Sequence, residues 1–154
     1  MTTATDVRRE ITVAGSPERT FDLFTRHMAD WWPAEHHLAQ AVVAMTVEPH
    51  VGGRIYDTSA DGSTSTWGQV TSWDPPAGFG FAWMITGDWQ LETDTERASR
   101  VSVTFSAEGD RTRVTLVHGE FWRLADGGDG MATAVGSVGG WEQGLTRFGE
   151  FANS

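Results

Sequence analysis

The sequence predicts an α+β fold in which helices cover one face of an antiparallel sheet. Runs in which apolar and polar residues alternate indicate strands, and turn signals such as Asp61-Gly62 separate these runs. Apolar residues recur every three or four positions near the two ends of the chain, which indicates helices there. A length of 154 residues is typical of one domain, so we expect a single domain over residues 1–154.

The first strand and the first helix meet at Gly15. Residues 7–14 are rich in β-branched side chains, which favours a strand. Ser16 is typical of a helix N-cap, and Pro17 at the first helical position loses no hydrogen bond. The helical pattern ends near Trp31-Trp32-Pro33, and we expect its two Trp to pack against the edge of the sheet.

A meander of about six strands is predicted after this helix, with neighbours in sequence paired in space. Asp61-Gly62 forms a hairpin turn because both residues tolerate a positive φ. Asp74-Pro75-Pro76 ends a strand because proline cannot continue a central ladder. The predicted strands are residues 42–48, 53–59, 64–73, 79–86, 101–107 and 113–121.

The C-terminal residues predict an amphipathic helix whose start is left open. Its apolar positions are Trp141, Leu145, Phe148 and Ala152. Residues 131–138 could form its first turns, but Gly136, Gly139 and Gly140 each weaken a helix by about 1 kcal/mol relative to Ala.

Alternation predicts which strand residues face this helix. One face carries Phe79, Phe81, Trp83 and Ile85; Val101, Val103 and Phe105; and Val114, Leu116 and His118. One helix cannot fill a curved sheet lined so heavily, so we expect a small apolar cavity between helix and sheet.

Several motifs, in this order along most of the chain, resemble the SRPBCC (START-like, pollen-allergen-like) superfamily. More narrowly, they are similar to its branch named for the activator of the heat-shock-protein-90 ATPase. The motifs are Ser16-Pro17-Glu18, Trp31-Trp32-Pro33, Gly52-Gly53-Arg54, Trp67-Gly68-Gln69-Val70 with Trp73-Asp74-Pro75-Pro76, Phe81-Ala82-Trp83, Thr115-Leu116-Val117-His118 and Gly140-Trp141.

The resemblance implies a helix-grip fold, a curved antiparallel sheet of about six or seven strands around a long C-terminal helix, with short helices after the first strand. It also implies a hydrophobic pocket between sheet and helix, but no single activity, because members bind lipids and hormones, cyclise polyketides or act as cochaperones. The chain departs from the usual pattern in the glycine content of residues 126–140.

Composition excludes several partners. A net charge of −10 and scattered basic residues argue against nucleic acid. The absence of Cys excludes disulfides and Cys-ligated zinc. There is no apolar run near the roughly 18 residues of a membrane span, and the first residues lack a signal-peptide pattern. We therefore expect a cytoplasmic protein without a membrane span.

The cluster Glu35-His36-His37, with His27 and His50 nearby in sequence, is the only metal-like pattern. Adjacent histidines point in different directions, whereas zinc ligands on a local segment are usually spaced to share one face. We interpret the cluster as a solvated loop and expect neither metal nor cofactor; Gly52-Gly53 precedes a strand and is no phosphate loop.

The candidate ligand-binding residues are Trp67, Trp83, Phe105, Leu116, His118, Glu120 and Trp141. We expect the ligand between Trp83 and Trp141, with residues 127–140 as a movable entrance. His118 and Glu120 lie two apart on a predicted strand, so both could face a ligand. Alternatively, His118 is a core residue that makes a hydrogen bond to backbone, and Glu120 emerges at the rim.

Three functions remain open at this point. The first is binding of a small, mostly hydrophobic molecule. The second is a cochaperone-like interaction protein with a chaperone partner, and the third is a cyclase or hydrolase that uses His118 or Glu120 as acid or base. No catalytic residue is assigned, and a homodimer is a further possibility.

Overall fold

The structure is a computed structural model that describes residues 5–33 and 36–154. Its strands are β1 Val7–Ala14, β2 Val42–Val47, β3 Arg54–Ser59, β4 Thr64–Asp74, β5 Gly78–Trp83, β6 Ser99–Glu108 and β7 Arg111–Gly119. Its α-helices are α1 Pro17–Thr25, α2 Met28–Trp31, α3 Gly128–Val135 and α4 Gln143–Ala152.

The seven strands form one antiparallel sheet in the order β1-β7-β6-β5-β4-β3-β2. Neighbours in sequence pair from β2 to β7, as predicted, and β1 adds to the outer side of β7. Register shifts interrupt the pairs β2/β3, β3/β4 and β4/β5, and such bulges increase strand bending and twist. The predicted α+β helix-grip fold is confirmed.

Two strands end earlier than predicted. β5 stops at Trp83, and the chain continues into a hairpin in which Ile85 bridges Leu91. β7 stops at Gly119, because Glu120 adopts a left-handed conformation with φ 57° and a 3₁₀ turn, Phe121–Arg123, follows. Both segments therefore turn away from the sheet ladder.

The C-terminal helical region is broken into two helices. A π-helical turn, Val138–Glu142, joins α3 to α4, and Gly140 within it has non-helical φ and ψ of −93° and −129°. The glycine-rich segment thus forms a separate helix, α3, before the break. Glycine suits this position because an added Cβ at Gly140 would overlap the carbonyl of Val135.

Helices α1, α2 and α4 pack together through aromatic side chains. The ring of Phe24 on α1 lies 5.0 Å from that of Phe148 on α4, centroid to centroid, and Trp31 lies 5.3 Å from Phe148. Phe24 also meets Phe79 and Phe105 of the sheet at 6.0 and 5.7 Å. This cluster forms the core at one end of the sheet.

The break between α3 and α4 yields a prediction with a neighbouring control. Gly140→Ala should lower the free energy of unfolding by about 1 to 3 kcal/mol, because the new methyl group overlaps backbone that cannot move freely. Gly139→Ala has open space around the new methyl group and should change stability by less than about 1 kcal/mol. Urea unfolding measures both; equal stabilities would contradict the close approach at Gly140.

Candidate functional site

A cavity of about 340 Å³ lies where the break in the C-terminal helices faces the end of β5. Three segments meet there: the chain after α2, the hairpin after β5, and the region from α3 to α4. The lining residues are Trp32, Pro33, His36, His37, Leu38, Trp83, Ile85, Trp89, Ala134, Val135, Gly139, Gly140, Trp141 and Gly144.

A cluster of four tryptophans includes the three that form the inner side of this cavity, Trp32, Trp83 and Trp141. Trp141 contacts Trp83 at 5.5 Å and Trp32 at 5.7 Å between ring centroids, both edge to face. Trp67 closes the cluster from behind, 5.0 Å from Trp32 and 5.7 Å from Trp83. Because Trp83 and Trp141 touch, the empty space lies beside this pair and not between the two rings.

His118 lies behind the tryptophans with both ring nitrogens occupied. Trp141 Nε1 donates to His118 Nδ1 at 3.0 Å, and His118 Nε2 lies 2.7 Å from Ser99 Oγ. An indole N–H can only donate, so Nδ1 is unprotonated and the neutral ring carries its proton on Nε2, which donates to Ser99. Burial lowers the pKa of His118 to about 3. His118 thus positions the Trp141 indole and has no free nitrogen for a ligand.

The remaining predicted residues lie apart from the cavity. Phe105 packs against Phe21 and Phe24, and Leu116 is fully buried in the core. Glu120 follows the end of β7, and its carboxylate accepts a hydrogen bond of 3.0 Å from Arg123 Nε. Since β7 stops at Gly119, Glu120 does not continue the face that carries His118. Of the seven predicted residues, only Trp83 and Trp141 line the cavity.

A buried carboxylate beside the cavity is absent from the sequence prediction. Asp57 on β3 is 2% exposed, and its Oδ1 accepts a hydrogen bond of 3.1 Å from Trp67 Nε1. Its Oδ2 lies 3.1 Å from His37 Nδ1. Burial raises the pKa of Asp57, while the charge and hydrogen bond of His37 and the bond from Trp67 act in the opposite direction.

The interpretation of the histidine cluster as a solvated loop is wrong for His37, whose side chain is 15% exposed and paired with Asp57. Glu35 lies outside the described residues. The sequence contained one sign that Asp57 has a partner. Asp57 lies on the same inward face of β3 as Ile55, and a carboxylate on a buried face requires a partner.

Trp89 is another lining residue that the sequence did not reveal. It sits at the tip of the hairpin after β5, where its N–H donates to the carbonyl of Thr86, and its φ is 63°. Its side chain remains 44% exposed at the rim of the cavity. A left-handed backbone is rare for a bulky residue, which makes Trp89 a candidate for a functional role.

Comparison with known proteins identifies the family. Residues 14–153 match the family described as "Activator of Hsp90 ATPase homolog 1-like protein". The chain belongs to this family. A comparison with curated proteins finds no match.

The chain is similar to solved structures of proteins whose names describe different functions. One is "An anthrahydroquino-Gama-pyrone synthase Txn09" in complex with a ligand, 38% identical over 96% of this chain and 97% of that chain, with a TM-score of 0.67. Another is CalC of Micromonospora echinospora, "a self-sacrificing resistance protein", 24% identical over 96% and 93%, with a TM-score of 0.63. The Aha1 dimer from Colwellia psychrerythraea is 16% identical over 97% and 96%, with a TM-score of 0.64. The last two show the fold alone.

Across residues 5–33 and 36–154, no helix of this family member combines the length and apolar character that crossing a membrane requires. No group of three or more His, Asp or Glu residues comes close enough there to hold a metal ion.

The environment of His118 predicts a pH dependence of stability. The folded state keeps His118 neutral down to a pKa of about 3, whereas the unfolded chain takes up a proton near pH 6.5. This stabilisation is therefore complete above pH 6.5 and is lost as the pH falls from 6.5 towards 3. The stability difference between wild type and His118→Gln should shrink by roughly 2 kcal/mol from pH 7 to pH 5. Urea unfolding at both pH values measures it, and a constant difference would contradict the buried neutral histidine.

Proposed function

We propose that this protein binds a small, flat, mostly apolar aromatic molecule in the tryptophan-lined cavity. The observation that carries the proposal is the aromatic wall formed by Trp32, Trp83 and Trp141, with Trp89 at the rim. Tryptophan faces and edges stack on other rings, and each such contact contributes about 0.5 to 1.5 kcal/mol beyond the area buried.

The backbone of Trp89 supports a role in binding. A left-handed conformation costs a non-glycine residue about 1 to 2 kcal/mol, and glycine would avoid this cost. Burial of the rest of the ring can offset this cost, but Trp89 stays 44% exposed. Strained residues of this kind cluster at ligand sites, which supports a role for the exposed part of the ring in contact with a ligand.

The wall also contains an unused hydrogen-bond donor. Trp83 Nε1 is buried and has no hydrogen-bond partner among the described residues. A buried N–H without a partner costs about 1 to 3 kcal/mol. A ligand that places a carbonyl or hydroxyl oxygen against Trp83 would regain this energy after a small shift of the ring.

The volume of the cavity and the name of the 38% identical protein together limit the class of ligand that we propose. A volume of about 340 Å³ is near the lower end of the roughly 300 to 1,000 Å³ of ligand pockets, which favours a compact ring system over a long acyl chain. The 38% identical protein is named for an anthrahydroquino-γ-pyrone, a fused aromatic system that carries oxygen atoms. We therefore propose hydroxylated, fused aromatic molecules as the ligand class.

An enzyme that closes a ring on such a molecule is the second candidate function. The observation that favours it is that the 38% identical protein is named a synthase. His118 and Glu120 do not line the cavity, so an acid or base for this reaction must come from another residue.

The cochaperone function and a homodimer remain predictions that rest on the family. Stimulation of a purified heat-shock ATPase by stoichiometric protein would favour the cochaperone function over ligand binding. Sedimentation equilibrium measures the oligomeric state.

Ligand binding is tested with anthraquinone and 2-hydroxyanthraquinone, with quenching of tryptophan fluorescence as the measurement. Trp89→Gly should weaken binding up to about tenfold because a stacking contact is lost. The same change should lower the free energy of unfolding by no more than about 2 kcal/mol, because relief of the left-handed strain offsets part of the lost burial. Loss of affinity in a protein that stays folded separates a ligand contact from a packing role.

Trp122→Ala is the matched control, because Trp122 is 63% exposed, packs under Arg123 and does not line the cavity. It should bind both probes like the wild type. Absence of binding to the wild-type protein, or equal affinities of wild type and Trp89→Gly, would contradict the proposed function.

A further inference from the structure

We infer that His37 is a catalytic base, which removes the proton from a hydroxyl group of the aromatic molecule bound in the cavity, and that Asp57 is its positioning residue. The inference rests on the proposed function and assigns a chemical step to the same site. Three features carry it: the tautomer of His37, the fixed orientation of Asp57, and the position of His37 in the cavity wall.

The hydrogen bond to Asp57 sets the tautomer of His37. A carboxylate only accepts, so His37 Nδ1 must carry the proton that bridges the 3.1 Å to Asp57 Oδ2. The neutral ring then has its lone pair on Nε2. This atom has no hydrogen-bond partner among the described residues, and His37 lines the cavity. A base therefore stands where a ligand hydroxyl can reach it.

Trp67 fixes the carboxylate from the other side. Its indole N–H donates to Asp57 Oδ1, so both carboxylate oxygens are occupied by N–H donors in a buried position. Such an arrangement holds the histidine ring in one orientation and stabilises the imidazolium that forms when the ring takes up a proton. Asp57 does not line this cavity and acts through His37.

The step is balanced without a co-reactant. The ligand O–H bond breaks, its electron pair stays on oxygen, and an N–H bond forms at His37 Nε2. The products are an anionic ligand oxygen and an imidazolium beside the Asp57 carboxylate. For ring closure, this oxygen adds to a π-bonded carbon of the same molecule, and the π bond breaks as the C–O bond forms. The electron pair of the π bond then takes the proton from His37 Nε2, which restores the neutral histidine.

The other histidines near the site do not match this geometry. His36 lines the cavity and packs edge to face on Trp32 at 6.4 Å, but no carboxylate pairs with it among the described residues. His118 uses both nitrogens inside the core. His50 is exposed and does not line the cavity, which makes His50→Gln the matched control.

The experiment uses 2-hydroxyanthraquinone, whose visible absorption shifts to longer wavelength when its hydroxyl ionises. Fluorescence quenching reports binding, and a pH titration of the absorbance of the saturated complex reports ionisation of the bound dye. In the wild type, the ionisation constant of the bound dye should exceed that in His37→Gln roughly tenfold or more, because an imidazolium beside the oxygen favours its charged form. Binding of anthraquinone, which lacks the hydroxyl, measures the contact that His37 makes with the ring system and separates this contact from the effect of His37 on ionisation.

Asp57→Asn tests the positioning role through the tautomer. Trp67 can only donate, so the Asn oxygen must face Trp67 and the Asn amide must face His37 Nδ1. Nδ1 then accepts, Nε2 carries the proton, and the ring can no longer take a proton at the cavity. We expect ionisation of the bound dye to fall as in His37→Gln, while a purely structural role of Asp57 would alter binding and stability alone.

The outcomes separate the two proposals. Loss of dye ionisation in His37→Gln, with binding retained and His50→Gln like the wild type, supports the inference. Unchanged ionisation in His37→Gln, or an equal loss in His50→Gln, overturns it and leaves ligand binding intact. Failure of the wild type to bind either probe overturns both.

Discussion

The hydrogen bond from Trp141 Nε1 to His118 Nδ1 joins the C-terminal helical region to the sheet inside the core. His118 on β7 also forms a hydrogen bond with Ser99 on β6, so the C-terminal helical region and two strands are held at a fixed spacing. The three residues are nearly or fully buried, and a missing partner would leave a polar atom unpaired at a cost of about 1 to 3 kcal/mol. The position of Trp141, and with it the wall of the cavity, depends on this chain of bonds.

The break between α3 and α4 leaves space for the cavity beside Trp141. Trp141 belongs to the π-helical turn, immediately after the non-helical Gly140. A continuous helix through this region would carry side chains across the end of β5, whereas the break presents two glycines to the cavity. The same sequence feature that weakens the helix by about 1 kcal/mol per glycine therefore creates a concave surface.

The fold could be predicted from the sequence because its signals are local and repeated. Alternation placed Phe81 and Val103 on the buried face, and Ser16 with Pro17 marked the start of α1, as observed. The site was predicted less well, because its residues come from three segments that no periodicity links. Trp89 reaches the cavity only through a hairpin whose left-handed tip is unusual for tryptophan. Asp57 and His37 are 20 residues apart and meet only when β3 pairs into the sheet.

The two histidines show why residue type alone could not assign the chemistry. His118 drew attention in the sequence as an inward residue, yet its position in the core occupies both nitrogens and keeps the ring neutral. His37 belongs to a polar segment that resembled a solvated loop, yet it lines the cavity, and a buried carboxylate pairs with one of its nitrogens while the other has no hydrogen-bond partner among the described residues. A histidine buried at 0% exposure with donors and acceptors on both sides serves structure. A histidine at a cavity wall with one nitrogen fixed and one open has the arrangement that proton transfer requires.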